Sequence, residues 1–299
     1  MRRTLAVACL ILLLEASSLG DSRNQVFSDF TTPLPLGPQQ TLVLGIVGGW
    51  ERWDNLDRIT TRIALMIRNA DRPGLFVETV ENHKIDLADE LIRRAFPDPS
   101  NASMVVFGQS LGGPAAIRLC ERLKERGIVV RLLVVIDAVG EGRLTIPSNV
   151  LAVANLYQRN SYWPIVGAKQ LRAEDPSRTR IPCNAQYRYS YRLWSGKKIE
   201  KPPYETSLRW DWMGGHLRME YDPEVWDLVR DMILAELRSS GAGPPWHGRP
   251  VDWASTATPI LELNIDSGLN PEGATRSESA TTQKVAPRYR VRSVPGPQC

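Results

Sequence analysis

"VVFGQSLGGPAAIRL", Val105 to Leu119, decides the fold. Its β-branched apolar start reads as a buried strand, and Pro114 sits in the first turn of a helical pattern running to Arg126. Between them lies Gly108-Gln109-Ser110-Leu111-Gly112, a Gly-x-Ser-x-Gly pattern. With Gly and Ser each near ~7% of residues, a chain of this length carries that pattern by chance roughly one time in ten, so its context carries the weight. A serine on a sharp strand-to-helix turn projects its oxygen at the carboxyl edge of a sheet. Glycines two residues to either side relieve the crowding that such a turn creates. The following helix aims N–H groups and a partial positive charge at the same point, which suits a developing oxyanion. The competing reading is a tight turn with no chemistry.

Outward from that stretch, apolar runs alternate with helical patterns. "TLVLGIVGG", "GLFVETVEN", "SMVVFG", "VVRLLVVID" and "NVLAVANLYQ" read as strands, and "SLRWDWMGGHL" reads as the last one. Between them, "DNLDRITTRIALMIRNA" places Leu56, Ile59, Ile63, Met66 and Ile67 on one helical face, and "LADELIRRAF" is a second helix. "DPEVWDLVRDMILAEL" closes the series with Val225, Leu228, Val229, Met232 and Ile233 on one side. Near-continuous Val/Leu/Ile strands alternating with helices predict an α/β fold over 41–238, a mostly parallel sheet covered on both faces. An insertion over 157–207, rich in Arg, Tyr and Pro, precedes the expected last strand. Within it "YRYSYRLW" alternates Tyr187, Tyr189, Tyr191 and Leu193 with Arg188, Ser190 and Arg192, the period of a half-buried strand in a hairpin or lid. The segment 239–299 is Gly-, Pro-, Ser- and Thr-rich, too poor in apolar residues to offset its ordering entropy, and is expected to be a mostly disordered tail.

The chain has 299 residues, 42% of them apolar, and a net charge of +4, too mild and dispersed to indicate a nucleic-acid partner. Its start, "MRRTLAVACLILLLEASSLG", has the charged, apolar and small-residue order of a secretory signal peptide over 1–20, which predicts a secreted or periplasmic location. The apolar run is about half of the ~20 residues that span a bilayer, so no stable membrane span is expected after its removal. Cys120, Cys183 and Cys299 then remain, with no metal-ligand spacing; Cys120 and Cys183 are a candidate disulfide, and a buried free thiol is the alternative for Cys120. The sequence carries no signal for an oligomeric state.

A nucleophilic serine needs a base. Of His83, His216 and His247, the last lies in the tail and His83 follows an earlier strand. His216 comes late, after Gly214-Gly215 and before the final helix, and is the expected base. A carboxylate must then fix its tautomer and stabilise its charged form. Asp137 closes an apolar strand, where a buried polar group demands a partner; Glu174 and Asp175 are the rivals. Backbone N–H groups of Leu111 and of the glycine-rich end of "GIVGGW", centred on Gly49, are the expected oxyanion donors.

With "FGQSLGG" after one strand, Asp137 after the next and His216 late, the chain resembles the α/β-hydrolase superfamily in its lipase, esterase and thioesterase part. The resemblance covers about Thr41 to Leu237, and "VETVENHKIDLADELIRRAF", "IPSNVLAVANLYQRN" and "DPEVWDLVRDMI" resemble bacterial members. It implies the α/β-hydrolase fold, acyl-serine chemistry on a small-molecule ester or thioester, and no cofactor. The acid stands one strand earlier than in most members, a placement some lipases share. The loop after the first strand lacks the usual His-Gly start, and the tail has no counterpart. The alternative from another class is a catalytically inactive hydrolase-like binding protein of the cell envelope, since a fold outlives its chemistry. A third reading is an envelope-interaction protein acting through the basic tail.

Overall fold

The computed structural model describes residues 24–49, 51–139, 144–161, 165–189, 199–203, 205 and 207–238. The expected signal segment and tail, along with Tyr191 to Leu193 of the alternating stretch, lie outside the described residues. Among the described residues, eight strands run in order: β1 Thr41–Val47, β2 Leu75–Glu81, β3 Met104–Gln109, β4 Val130–Ile136, β5 Thr145–Ile146, β6 Val150–Gln158, β7 Arg172–Ala173 and β8 Arg180–Tyr187. Six of them form one sheet in the order β2-β1-β3-β4-β6-β8, parallel throughout, and β5 and β7 pair separately. This is the mostly parallel, helix-covered sheet of the α/β-hydrolase fold.

The helices are α1 Ile59–Arg68, α2 Ile85–Ala95, α3 Gly112–Glu125, α4 Ser207–Met213, α5 Gly215–Glu220 and α6 Pro223–Arg238. Strands covered on both faces cannot alternate polar with apolar residues, and β1 and β4 are buried at every position. On one face α2 and α3 set Leu91, Ile92, Ala116 and Leu119 against Leu44, Val106 and Leu133. On the other, α1 and α6 set Ile63, Ile67, Val229 and Ile233 against Val43, Val105 and Val134. Each such aliphatic side chain taken fully out of water contributes about 1.5–3 kcal/mol before the cost of ordering it. Leu56 falls outside α1 and is 53% exposed, because the helix begins only at Ile59.

The end of the sheet differs from the sequence reading. "SLRWDWMGGHL" is not a strand: it folds as α4 and the start of α5, and the last strand among the described residues is β8, inside the segment 157–207. The expected alternation persists at its end, where Tyr187 and Tyr189 stack with ring centroids 6.3 Å apart and Arg188 faces outward. Cys120 and Cys183 do not pair. They lie in the cores of opposite faces, and Cys120 is a free thiol whose burial pushes its pKa up.

Candidate active site

All strands of a parallel sheet end on one edge, so the residues that follow them converge. Here those are Gly48 and Gly49 after β1, Ser110 after β3, Asp137 after β4, and Gln158 at the end of β6. Ser110 has φ +55°, a left-handed backbone rare for a residue with a β-carbon. The turn is held by its N–H donating to the Ile136 carbonyl at 3.0 Å and its own carbonyl accepting from Gly113 at 3.1 Å. The bend forces backbone against backbone: a β-carbon at Gly108 would overlap the carbonyl of Gly112, and one at Gly112 would overlap that of Ile46. The two flanking glycines are therefore steric requirements of the turn.

The structure brings the three expected side chains into one chain of hydrogen bonds. Ser110 Oγ lies 3.0 Å from His216 Nε2, and His216 Nδ1 lies 2.6 Å from Asp137 Oδ2. All three are buried, Asp137 completely. A carboxylate at Nδ1 places the imidazole proton there, which leaves Nε2 as the acceptor for the serine hydroxyl. The backbone of His216 is fixed as well, its N–H donating to Ser161 Oγ at 2.9 Å. The rivals for the acid are engaged elsewhere. Glu174 is exposed and bound to Lys124 Nζ at 2.6 Å, and Asp175 caps the turn at Ser177. His83 pairs with Glu81 at 3.2 Å, and His247 lies outside the described residues.

The expected oxyanion donors flank the serine. Leu111 precedes α3 as its N-cap, and Gly49 has φ +51° with its carbonyl held by the Asn82 side-chain amide. A β-carbon at Gly48 would come within 2.9 Å of Ser110 Cβ, so the β1 loop packs directly on the serine. Among the described residues, neither the Leu111 nor the Gly49 N–H donates to a backbone carbonyl in the turns and loops around the site.

Sequence reasoning passed over Gln158, Ser161 and Gln109. Gln158 donates from Nε2 to Asp137 Oδ2 at 2.8 Å and from its backbone N–H to Oδ1 at 3.1 Å. Gln109 packs over Gly48, its Nε2 3.4 Å from His216 Nε2. Gln158, like Asp137, is a polar residue closing an apolar strand, but a glutamine there names no chemistry by itself. Beside the site, Val139, Ile165, Trp210, Met213, Leu217 and Tyr221 form a separate apolar cluster, with Leu111 packed on it. Behind it Arg58, 8% exposed, meets Glu220 at 3.0 Å, Glu51 at 3.4 Å and Glu205 at 3.5 Å. Burial opposes that charge, but the carboxylates of Glu51 and Glu220 outweigh it and hold the guanidinium protonated. No group of His, Cys, Asp and Glu among the described residues has the arrangement of a metal site.

No protein-family model matches this sequence, and no curated protein matches it. Among solved structures, the chain is similar to RedJ with a polyethylene glycol molecule bound in the active site, at 11% identity and a TM-score of 0.29, over 56% of this chain and 90% of that one. It is likewise similar to the RedJ thioesterase of the prodiginine biosynthetic pathway in Streptomyces coelicolor, at 11% identity and a TM-score of 0.30, over 55% of this chain and 88% of that one.

Proposed function

We propose that this protein is an exported serine hydrolase that cleaves a carboxylic ester or thioester through an acyl-serine intermediate. The observation that carries the reading is the buried, unbroken chain from Ser110 Oγ through His216 to Asp137. Ser110 Oγ attacks the substrate carbonyl carbon while His216 Nε2 takes the hydroxyl proton. The resulting oxyanion is held by the N–H groups of Leu111 and Gly49, and the positive end of α3 adds to that field. Asp137 stabilises the imidazolium that has formed. Collapse breaks the bond to the leaving oxygen or sulfur, which receives the proton from Nε2. Water then repeats the sequence on the acyl-enzyme, releasing the acid and restoring Ser110. Export rests on the charged, apolar and small-residue order of the first twenty residues.

The test is pre-steady-state hydrolysis of a short-chain nitrophenyl ester and of its thioester counterpart. The expected result is a burst of leaving group equal to the enzyme concentration, followed by slower turnover, with Ser110→Ala lowering kcat about 10⁴- to 10⁶-fold. A folded wild-type protein that shows neither burst nor turnover on either substrate contradicts the reading and favours a hydrolase-like binding protein.

A further inference from the structure

We propose that Gln158 is a positioning residue of this site, its single side-chain amide setting the register between the acid and the base. The inference rests on the roles given above to Ser110, His216 and Asp137.

Gln158 ends β6 and is fully buried. A primary amide offers two donors and two acceptor positions, and here all four are used. Its oxygen accepts from the backbone N–H of Asn160 at 2.7 Å and of Ser161 at 3.0 Å. Its nitrogen donates to Asp137 Oδ2 at 2.8 Å and to the Ile165 carbonyl at 3.2 Å. Two backbone N–H groups can only donate, so the amide oxygen must face them, and the NH₂ group must face Asp137. The orientation of the amide is set by its surroundings.

That orientation links both partners of the serine. On the acid side, the amide and the Gln158 backbone N–H supply two donors to Asp137, and His216 supplies the third. The carboxylate is thereby kept from rotating away from the imidazole, and its buried charge is shared among three donors. On the base side, the amide oxygen holds the turn that carries Ser161, whose Oγ accepts the His216 N–H and donates to the Met213 carbonyl. One side chain therefore fixes Asp137 directly and the His216 backbone through one intermediate. The glycine before the histidine follows from the same packing: a β-carbon at Gly215 would come within 2.5 Å of Gln158 Oε1. Gly167, whose N–H donates to the Gln158 carbonyl, has its α-carbon against Asp137 Oδ1, where a β-carbon would overlap it.

The test uses the full chain with two substitutions. Gln158→Met keeps the length of the side chain and removes all four bonds; Ser161→Ala leaves the amide and Asp137 in place and removes the hydroxyl that ties the turn to the His216 N–H and the Met213 carbonyl. For each, kcat and KM are measured on an ester that the wild type turns over, with the far-downfield proton resonance of the His216 Nδ1–H donated to Asp137. Gln158→Met is expected to lower kcat about 100-fold with KM nearly unchanged, since a shift near 1 Å in a reacting group has that scale of effect. Its downfield resonance is expected to move or broaden. Ser161→Ala is expected to lower kcat about 10-fold, also without a change in KM. A folded Gln158→Met with wild-type kcat and an unmoved resonance overturns the inference. Should Gln158→Met fail to fold, an unaltered kcat and resonance in Ser161→Ala overturn it instead. A wild type that forms no acyl-enzyme is a different failure: it removes the reading of the site, while the resonance still reports whether Gln158 holds the Asp137–His216 pair.

Discussion

Ser110 and Asp137 both carry a positive φ, +55° and +45°, directly after neighbouring parallel strands. Each such backbone costs on the order of 1–3 kcal/mol and persists only where its surroundings over-determine it. The surroundings here are close backbone contacts, so they are sensitive to a single methyl group. Gly112→Ala places that methyl against the Ile46 carbonyl and is expected to destabilise the protein by about 1–3 kcal/mol, measured by urea unfolding. Asp137→Asn keeps the packing but presents an amide where His216 Nδ1–H needs an acceptor, and kcat is expected to fall about 10⁴-fold with little change in KM. At this scale the meeting of Ser110, His216 and Asp137 was legible: serine in a Gly-x-Ser-x-Gly bend and a carboxylate closing an apolar strand are local signals, and His216 followed from its late position and by elimination. Gln158 was not, since a glutamine names no chemistry until its four partners, from four separate positions, are seen around it.

His216 sits in the first turn of α5, and the far end of that short helix is fastened by charge. Glu220 and the Tyr221 hydroxyl meet Arg58 Nη1 at 3.0 and 3.4 Å, Glu205 from the segment before α4 shares that nitrogen, and Glu51 from the β1 loop lies at Nε. Arg58 thus ties the loop that carries Gly49 to the helix that carries His216. Arg58→Met leaves buried carboxylates without their counter-charge and is expected to cost about 3–5 kcal/mol, read from the thermal transition. The elements at this end of the sheet were also the hardest to read in the sequence. Trp210, Met213, Leu217 and Tyr221 are spaced by three and four residues, a helical period that continues across the Gly214-Gly215 break and is hidden by reading the stretch as one short apolar run. The last strand among the described residues, β8, lies at the edge of the sheet, where Arg180, Pro182, Asn184 and Gln186 replace the continuous apolar pattern of the central strands. A strand paired on one side only has less need to be apolar, and its sequence reports that.

Across the whole molecule, the central strands and long helices were legible from period and composition, because burial on both faces leaves few alternatives to a Val/Leu/Ile run. Topology separates the carboxylates: β4 lies beside β3, so Asp137 after β4 falls next to Ser110, whereas Glu174 lies on an exposed surface with Lys124. That exposed pair has its own pH signature. The Lys124 ammonium and the Ser148 N–H draw the Glu174 carboxyl down from its ordinary 4.5 to about 2, so their contribution is complete above the unfolded value and drains away as the pH falls toward the folded one. Glu174→Gln is therefore expected to lower the thermal midpoint slightly at neutral pH, with the difference from wild type narrowing below about 4.5 and shrinking further in high salt. The proposed activation of Ser110 by His216 is measured by treating the full chain with a fluorophosphonate and locating the adduct by peptide mass. A single adduct on Ser110 is expected, absent in Ser110→Ala and formed at least about 10³-fold more slowly in His216→Ala. A folded wild-type protein that stays unlabelled, or one labelled equally fast without His216, contradicts it.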